Sequence, residues 1–263
     1  MKLSYQNAEI FISTGGRDFD GNGDVLLFIH GSGQSHLTFL QQGRFFANRD
    51  WQVLTPDMPA HGHSGGIALS NIEAMADWYA GLMDTLGVGS ATLIGHSQGC
   101  LIGLEMAKRH PDKVTKLCLI AGAMAIPVNE ALLDMADNKP ELAYQAMVNW
   151  AHGNDSHLYH NNWPGQTHIE FGNQVMSGND DKALFADLSA CNDYQGGPEA
   201  AAAVTCQTIA ILAAQDKMTP AKSGKKMAET IADCTMHIIP DSGHFLPSER
   251  PLEVNKILRN FIA

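Results

Sequence analysis

The sequence predicts an α/β fold, a mostly parallel central sheet covered by helices on both faces. Two observations carry this expectation. Short continuous apolar runs, such as Val25-Leu26-Leu27-Phe28-Ile29, suit strands buried on both faces. Between them lie stretches with apolar residues at helical spacing, and strand–helix alternation is the pattern of a parallel sheet.

The segment from about Leu3 to Thr14 reads as a hairpin, closed by glycines at 15 and 16. The run at 25–29 follows, and then His30-Gly31-Ser32-Gly33. Trp51 to Thr55 gives a second strand, ending at Pro56-Asp57. A helix is expected over 70–87, with Ser70 as its cap, Glu73 three residues on and Gly87 closing it. Ala91 to Ile94 is a strand, 95–97 a turn, and the next helix runs to about Arg109, before Pro111. Val114 to Ala121 is a further buried strand. From about 124 to 204 the pattern changes to helical pieces, including 129–137 and 140–151, with no visible parallel strand. The expectation is one domain over 1–263 with a helical cap insertion at 124–204. The sheet resumes at Thr208–Ala213, a helix follows Pro220, and Thr235–Ile239 is the last strand. A final helix starts near Pro251, with Val254, Ile257, Leu258 and Phe261 on one face.

Composition narrows the function. A chain of 263 residues can bury a large core without disulfides or a structural metal. The net charge of −11 argues against nucleic acid and anionic membrane surfaces, both of which attract basic patches. Five cysteines, an odd number with no Cys-x-x-Cys pair, point to a reducing compartment rather than a disulfide framework. No apolar run approaches the roughly 18 residues of a membrane span, and the N-terminus lacks a signal-like core. A cytoplasmic protein is expected, and a homodimer remains open.

The chemistry concentrates in Gly95-His96-Ser97-Gln98-Gly99, a Gly-x-Ser-x-Gly motif between an expected strand and an expected helix. In that context the motif forms a sharp turn that projects the serine hydroxyl at the mouth of the sheet. The two glycines leave out side chains that would clash there. A serine needs a base, and imidazole serves near neutral pH. A carboxylate behind the imidazole fixes its tautomer.

These residues resemble the α/β-hydrolase family over almost the whole chain. The family order is nucleophile, acid, histidine, and Ser97, Asp216 and His244 stand in that order. His244 lies in Asp241-Ser242-Gly243-His244, after the last strand. Asp216 lies in Ala214-Gln215-Asp216-Lys217, after the strand where the family most often carries its acid. Asp241 is the nearest competitor for that role. The His30-Gly31-Ser32-Gly33 loop resembles the family's oxyanion loop, which implies that the Ser32 and Gln98 backbone N–H groups form the oxyanion hole and that His30 orients the loop. Asp57-Met58-Pro59-Ala60-His61-Gly62-His63-Ser64 resembles a scaffold segment of the family, with Pro59-Ala60 where many members carry Arg-Gly. Structural roles follow for Asp57, His61 and His63.

Serine at the elbow separates the chain from members that use aspartate or cysteine there. The resemblance therefore implies a serine hydrolase that cleaves a carboxylic ester, or a related acyl bond, of a small-molecule substrate through an acyl-enzyme. A carbon–carbon bond hydrolase or lyase of the same fold, or a ligand-binding or signalling member with little turnover, are the alternatives. No nucleotide loop is present, and no cofactor or metal is implied. His152, His157, His160 and His168 of the insertion read as surface or pocket polarity, and Trp150, Tyr159, Trp163 and Phe171 as the lining of a cap.

Overall fold

The computed structural model describes residues 1–158 and 165–263. Eight strands form one sheet: β1 (Lys2–Tyr5), β2 (Ala8–Ser13), β3 (Val25–Ile29), β4 (Gln52–Pro56), β5 (Ala91–His96), β6 (Val114–Ile120), β7 (Gln207–Ala213) and β8 (Cys234–Ile239). Their spatial order is β1-β2-β4-β3-β5-β6-β7-β8. β1 and β2 pair antiparallel, as do β2 and β4, and every pairing from β4 to β8 is parallel.

The alternation of side chains along each strand builds two cores. On β3, Val25, Leu27 and Ile29 face one core and Leu26 and Phe28 the other. On β6, Leu117 and Leu119 join the first, Cys118 and Ile120 the second. The first core is closed by α2 (Ile72–Thr85), α3 (Gln98–Arg109), α9 (Gly197–Ala203) and α10 (Ala221–Thr230). The second is closed by α1 (Leu40–Ala47) and α12 (Pro251–Ile262), whose Val254, Leu258 and Ile262 are buried.

Three details depart from the sequence reading. The hairpin forms, but its turn is Gln6-Asn7, both at positive φ (51° and 63°), rather than the glycines at 15 and 16. Two consecutive left-handed residues give a turn whose twist matches the paired strands. The helix expected from Ser70 is capped instead by Asn71, whose side chain accepts the Ala74 N–H at 2.7 Å. Asparagine reaches the third helical N–H from one residue later, so the Ser70–Glu73 box does not form. Helix α1 was hidden by its mixed polarity, since only Gln42, Gly43, Phe46 and Ala47 of its eight residues are buried.

Between β6 and β7 the described residues form no strand. They carry α4 (Glu130–Asn138), α5 (Pro140–Ala151), α6 (Asn154–Leu158), α7 (His168–Met176), α8 (Ala183–Asp193) and α9. Helices α4, α5, α7 and α8 share a third apolar core, which includes Leu132, Val148, Phe171, Met176 and Leu184, with Phe245 joining from the loop after β8. Among the described residues no helix is long and apolar enough to cross a membrane. All five cysteines carry free thiols.

Backbone packing is tight at the β5–α3 junction. A β-carbon on Gly95 would collide with the Gly99 carbonyl, and one on Gly99 with the Ile29 carbonyl. By contrast a β-carbon on Gly89 meets nothing within 4 Å. Gly99→Ala should therefore lower the free energy of urea unfolding by about 1–3 kcal/mol, the usual range for overpacking. Gly89→Ala should leave it within about 0.5 kcal/mol. Equal midpoints for the two variants would contradict this account of the junction.

Candidate active site

Ser97 joins β5 to α3 at φ 54° and ψ −119°, a conformation that a side-chain-bearing residue adopts only under constraint. The constraint comes from both sides. The Ser97 N–H donates to the Ile120 carbonyl of the neighbouring strand at 3.0 Å, and its own carbonyl accepts from Cys100 N–H at 2.8 Å. The β3 loop passes so close that a β-carbon on Gly31 would lie 2.9 Å from the Ser97 Cβ. Glycine at 31 is thus required by the approach of the two loops.

His244 and Asp216 come together from separate loops. The His244 Nδ1 lies 2.8 Å from Asp216 Oδ2, and both side chains are buried. Because a carboxylate accepts, Nδ1 carries a hydrogen, and in the neutral tautomer this leaves the lone pair on Nε2. Asp216 is braced in turn: Oδ1 accepts from the Met218 and Thr219 N–H groups, each at 2.8 Å, and Oδ2 from the Thr219 hydroxyl at 2.9 Å. Burial pushes the Asp216 carboxyl up, but the charge and hydrogen bond of His244, with the Thr219 bonds, more than reverse this and hold it below its ordinary value. Asp241 is exposed and stands at φ 49°, and no contact joins its carboxylate to His244. The geometry therefore puts Asp216 beside the imidazole.

Ser97 and His244 line one cavity of about 130 Å³, together with Ser32, Gln34, Asn129 and Lys217. Its remaining walls are apolar, among them Leu132, Met147, Trp150 and Phe245. Among the described residues no acceptor faces the backbone N–H of Ser32 or of Gln98. Gln98 heads α3, where a first-turn N–H has no partner within the helix.

The supporting residues fall largely where the sequence put them. His30 is fully buried, with Nδ1 donating to the Gly31 carbonyl at 3.0 Å and Nε2 accepting the Met58 N–H at 3.2 Å. Burial pushes its pKa down to about 4, so it is a neutral bracket between the β3 and β4 loops. Asp57 accepts from the His36 and His63 backbones and from the His36 ring. His61 Nε2 lies 2.9 Å from Asp187 Oδ2. For His61, burial lowers the pKa, but the Asp187 charge and hydrogen bond outweigh it and raise the value above 6.5.

Several residues escaped the sequence reading. Gln34 Oε1 accepts the Gly31 N–H at 3.1 Å and the Thr38 hydroxyl at 3.0 Å. Glu249 Oε2 accepts from Gly153 N–H and from the Ser156 hydroxyl at 2.8 and 2.7 Å, and from Gly243 N–H at 3.1 Å. It thereby ties the start of α6 to the loop that carries His244. The signal for Asp187 was available: a carboxylate on the stripe Leu184, Leu188 and Cys191, where an apolar residue belongs.

The histidines between β6 and β7 are partly interior. His152 and His168 are buried, and His152 stacks on Phe245 at 4.9 Å with 10° between planes. His157 is exposed and edges onto His152 at 6.4 Å. Trp150 lines the cavity as expected, whereas Phe171 packs in the insertion's own core. Tyr159, His160 and Trp163 lie outside the described residues. Among the described residues no group of three or more His, Cys, Asp or Glu side chains is arranged to hold a metal ion.

The eight-stranded sheet and the serine at its central strand end define a class. The alpha/beta hydrolase fold family matches residues 24–159, and the chain belongs to that family. Over 252 residues it is 25% identical to a 2-hydroxymuconate semialdehyde hydrolase of Pseudomonas sp. (strain CF600), covering 92% of this chain and 88% of the relative. A shorter stretch of 103 residues, 39% of each chain, is 32% identical to an (E)-2-((N-methylformamido)methylene)succinate hydrolase of Acinetobacter baylyi. Among solved structures, the enol-lactonase from Burkholderia xenovorans LB400 superposes with a TM-score of 0.89 at 21% identity, over 100% of this chain and 99% of that one. A malate-bound esterase from Thermogutta terrifontis superposes with a TM-score of 0.85 at 22% identity, over 99% and 96%.

The His61–Asp187 pair has a consequence in pH. A group whose folded pKa is raised contributes stability below its unfolded value, and loses it as pH rises through the folded value. The stability difference between wild type and His61→Gln should therefore be full at pH 6 and below, and shrink above pH 6.5. Urea midpoints of both proteins from pH 6 to 9 measure it. A difference that grows toward pH 9 would contradict the assignment.

Proposed function

We propose that the protein is a serine hydrolase that cleaves small carboxylic esters or related acyl bonds through an acyl-enzyme. The reading is carried by one observation: an imidazole braced at Nδ1 by a buried carboxylate lines the same cavity as a serine held at positive φ. In this reading His244 Nε2 takes the Ser97 hydroxyl proton as Oγ attacks the carbonyl carbon. The oxygen that gains charge is received by the Ser32 and Gln98 N–H groups, each worth roughly 2.7–4 kcal/mol in the transition state. Collapse expels the leaving alkoxide, which takes the proton from His244 and departs as an alcohol. Water then attacks acyl-Ser97 with His244 again as base, and the carboxylic acid leaves. Asp216 holds the imidazole tautomer throughout.

The insertion acts as a cap, covering the cavity through Leu132, Met147, Trp150 and Leu188. A volume near 130 Å³ favours a small acyl group. Lys217 is exposed on the rim, and no carboxylate partner pairs with it among the described residues. It supplies the cavity's one formal positive charge there, which favours a substrate bearing a carboxylate beyond the scissile bond. A second reading, hydrolysis of a carbon–carbon bond beside a carbonyl, keeps the same residues. The full-length similarity to a 2-hydroxymuconate semialdehyde hydrolase makes that compound the one to test beside esters and lactones.

Two measurements decide these points. A fluorophosphonate should add one adduct per chain to the wild type by intact mass, none to Ser97→Ala, and should react far more slowly with His244→Ala. A folded wild type that takes no label sinks the serine-hydrolase reading and turns attention to ligand binding without turnover. For the rim, Lys217→Ala should raise KM about two- to five-fold for the monoester of a dicarboxylic acid, the scale of an exposed ion pair. KM for a neutral ester of equal size should not move, and equal changes for both substrates would remove the carboxylate from the proposal.

A further inference from the structure

We infer that helix α8 of the insertion clamps the oxyanion hole from behind, with Asp187 as the positioning residue. The inference rests on the proposed roles of Ser32 and Gln98. Those two residues come from different places, one after β3 and the other at the start of α3. A hole made of two such donors works only if both stay fixed relative to Ser97, since donors must lie about 2.7–3.1 Å from the developing oxyanion.

One stripe of α8 touches both. Asp187 is fully buried, and its Oδ2 accepts the Gly33 N–H at 2.8 Å, one residue beyond Ser32. Its main-chain carbonyl accepts from the Gln98 side-chain Nε2 at 3.0 Å. One turn later, Cys191 Sγ lies 3.5 Å from the Ser32 hydroxyl. One turn earlier, Leu184 packs so closely that a β-carbon on Gly33 would stand 2.7 Å from its Cδ1. Gly33 has φ 63°, so this position suits only a glycine on both counts. Leu184, Asp187 and Cys191 of the stripe thus hold the residues flanking, or forming, both proposed donors.

The carboxylate is itself held from the far side. His61 Nδ1 faces the Pro59 carbonyl at 2.9 Å and Nε2 faces Asp187 Oδ2 at 2.9 Å. A carbonyl and a carboxylate both accept, so together they favour the ring with hydrogen on both nitrogens, an imidazolium. A buried carboxylate is expensive in an apolar helix face unless it is paired and hydrogen-bonded. Here it is paired with a cation from the β4 loop and bonded to an amide of the β3 loop. Asp187 therefore joins the insertion, the oxyanion loop and the β4 loop at a single oxygen.

The consequence is kinetic. Loss of the Asp187 acceptor frees the Gly33 peptide, and a displacement of about 1 Å at a catalytic group can cost on the order of 100-fold in rate. Substrate binding in the ground state, made by the cavity walls, is untouched. Asp187→Ala should lower kcat about 10- to 100-fold with KM within two-fold. It should weaken a trifluoromethyl ketone, whose serine adduct places an oxyanion in the hole, by the same factor. Asp187→Asn can keep an oxygen where Oδ2 stands, accepting from the Gly33 N–H and from the His61 Nε2–H, so it should stay within about five-fold of wild type. Should Asp187→Ala not fold, Asp187→Leu, similarly branched and apolar like its neighbours on the stripe, serves in its place. A folded Ala or Leu variant with wild-type kcat overturns the inference, as does a fall in kcat with unchanged ketone affinity. The Gly33 amide gives a reading independent of turnover. Its hydrogen exchange should be faster in Asp187→Ala than in wild type, and equal exchange overturns the clamp even where no ester is cleaved. A wild type that fails to take the fluorophosphonate overturns the serine-hydrolase reading instead, a separate result.

Discussion

The structure is organised around one backbone conformation, the left-handed φ of Ser97. A residue with a side chain settles there only when its surroundings leave no alternative. Here the surroundings are peptide groups. β5 delivers the Ser97 N–H to the Ile120 carbonyl of β6, which accepts it, and α3 begins at the next residue. The absent side chains of Gly31, Gly95 and Gly99 let three segments of backbone close around it. The parallel sheet is what makes this stiff: β5 is flanked by β3 and β6, so the serine sits at the end of an interior strand buried on both faces.

Around that fixed point the other groups arrive on loops, and loops are held by buried polar contacts. Each loop beside the cavity is tied to another. His30 joins the β3 loop to the β4 loop, and Thr219 joins the Asp216 loop to the end of β6 through the Ala121 carbonyl. Glu249 and Asp187 fasten the insertion to the loops carrying His244 and Ser32. Such contacts stabilise little in net terms, yet each leaves a costly orphan when one partner is lost. They specify positions rather than supply bulk stability.

The fold was legible because it is written in local patterns. Apolar runs at β3, β5, β6 and β7 need no partner to be recognised, and the helices after Ser97, Pro220 and Pro251 carry their own start signals. The Ser97, Asp216 and His244 positions were legible as motifs at strand ends. What stayed hidden was set by distance in sequence. Asp187 meets Gly33 across 154 positions, and Glu249 meets Gly153 across 96. No local rule points from one to the other. The choice of Asn71 over Ser70 turned on a single residue of register, where neighbouring polar residues offer nearly equal local solutions.

The anchoring of the His244 backbone bears on how such a protein diverges. Its N–H donates to the Ala151 carbonyl, so the peptide that carries the imidazole is seated on the insertion and not only on the sheet. A β-carbon on Gly243 would strike that same carbonyl. The segment between β6 and β7 is therefore not an interchangeable module that recombination could swap at the ends of those strands. A graft from a relative has to bring its own version of residues 151–153 and of the Gly243 contact. Descent in this architecture is consequently expected to change the stretch at the end of α5 and the loop after β8 as a pair.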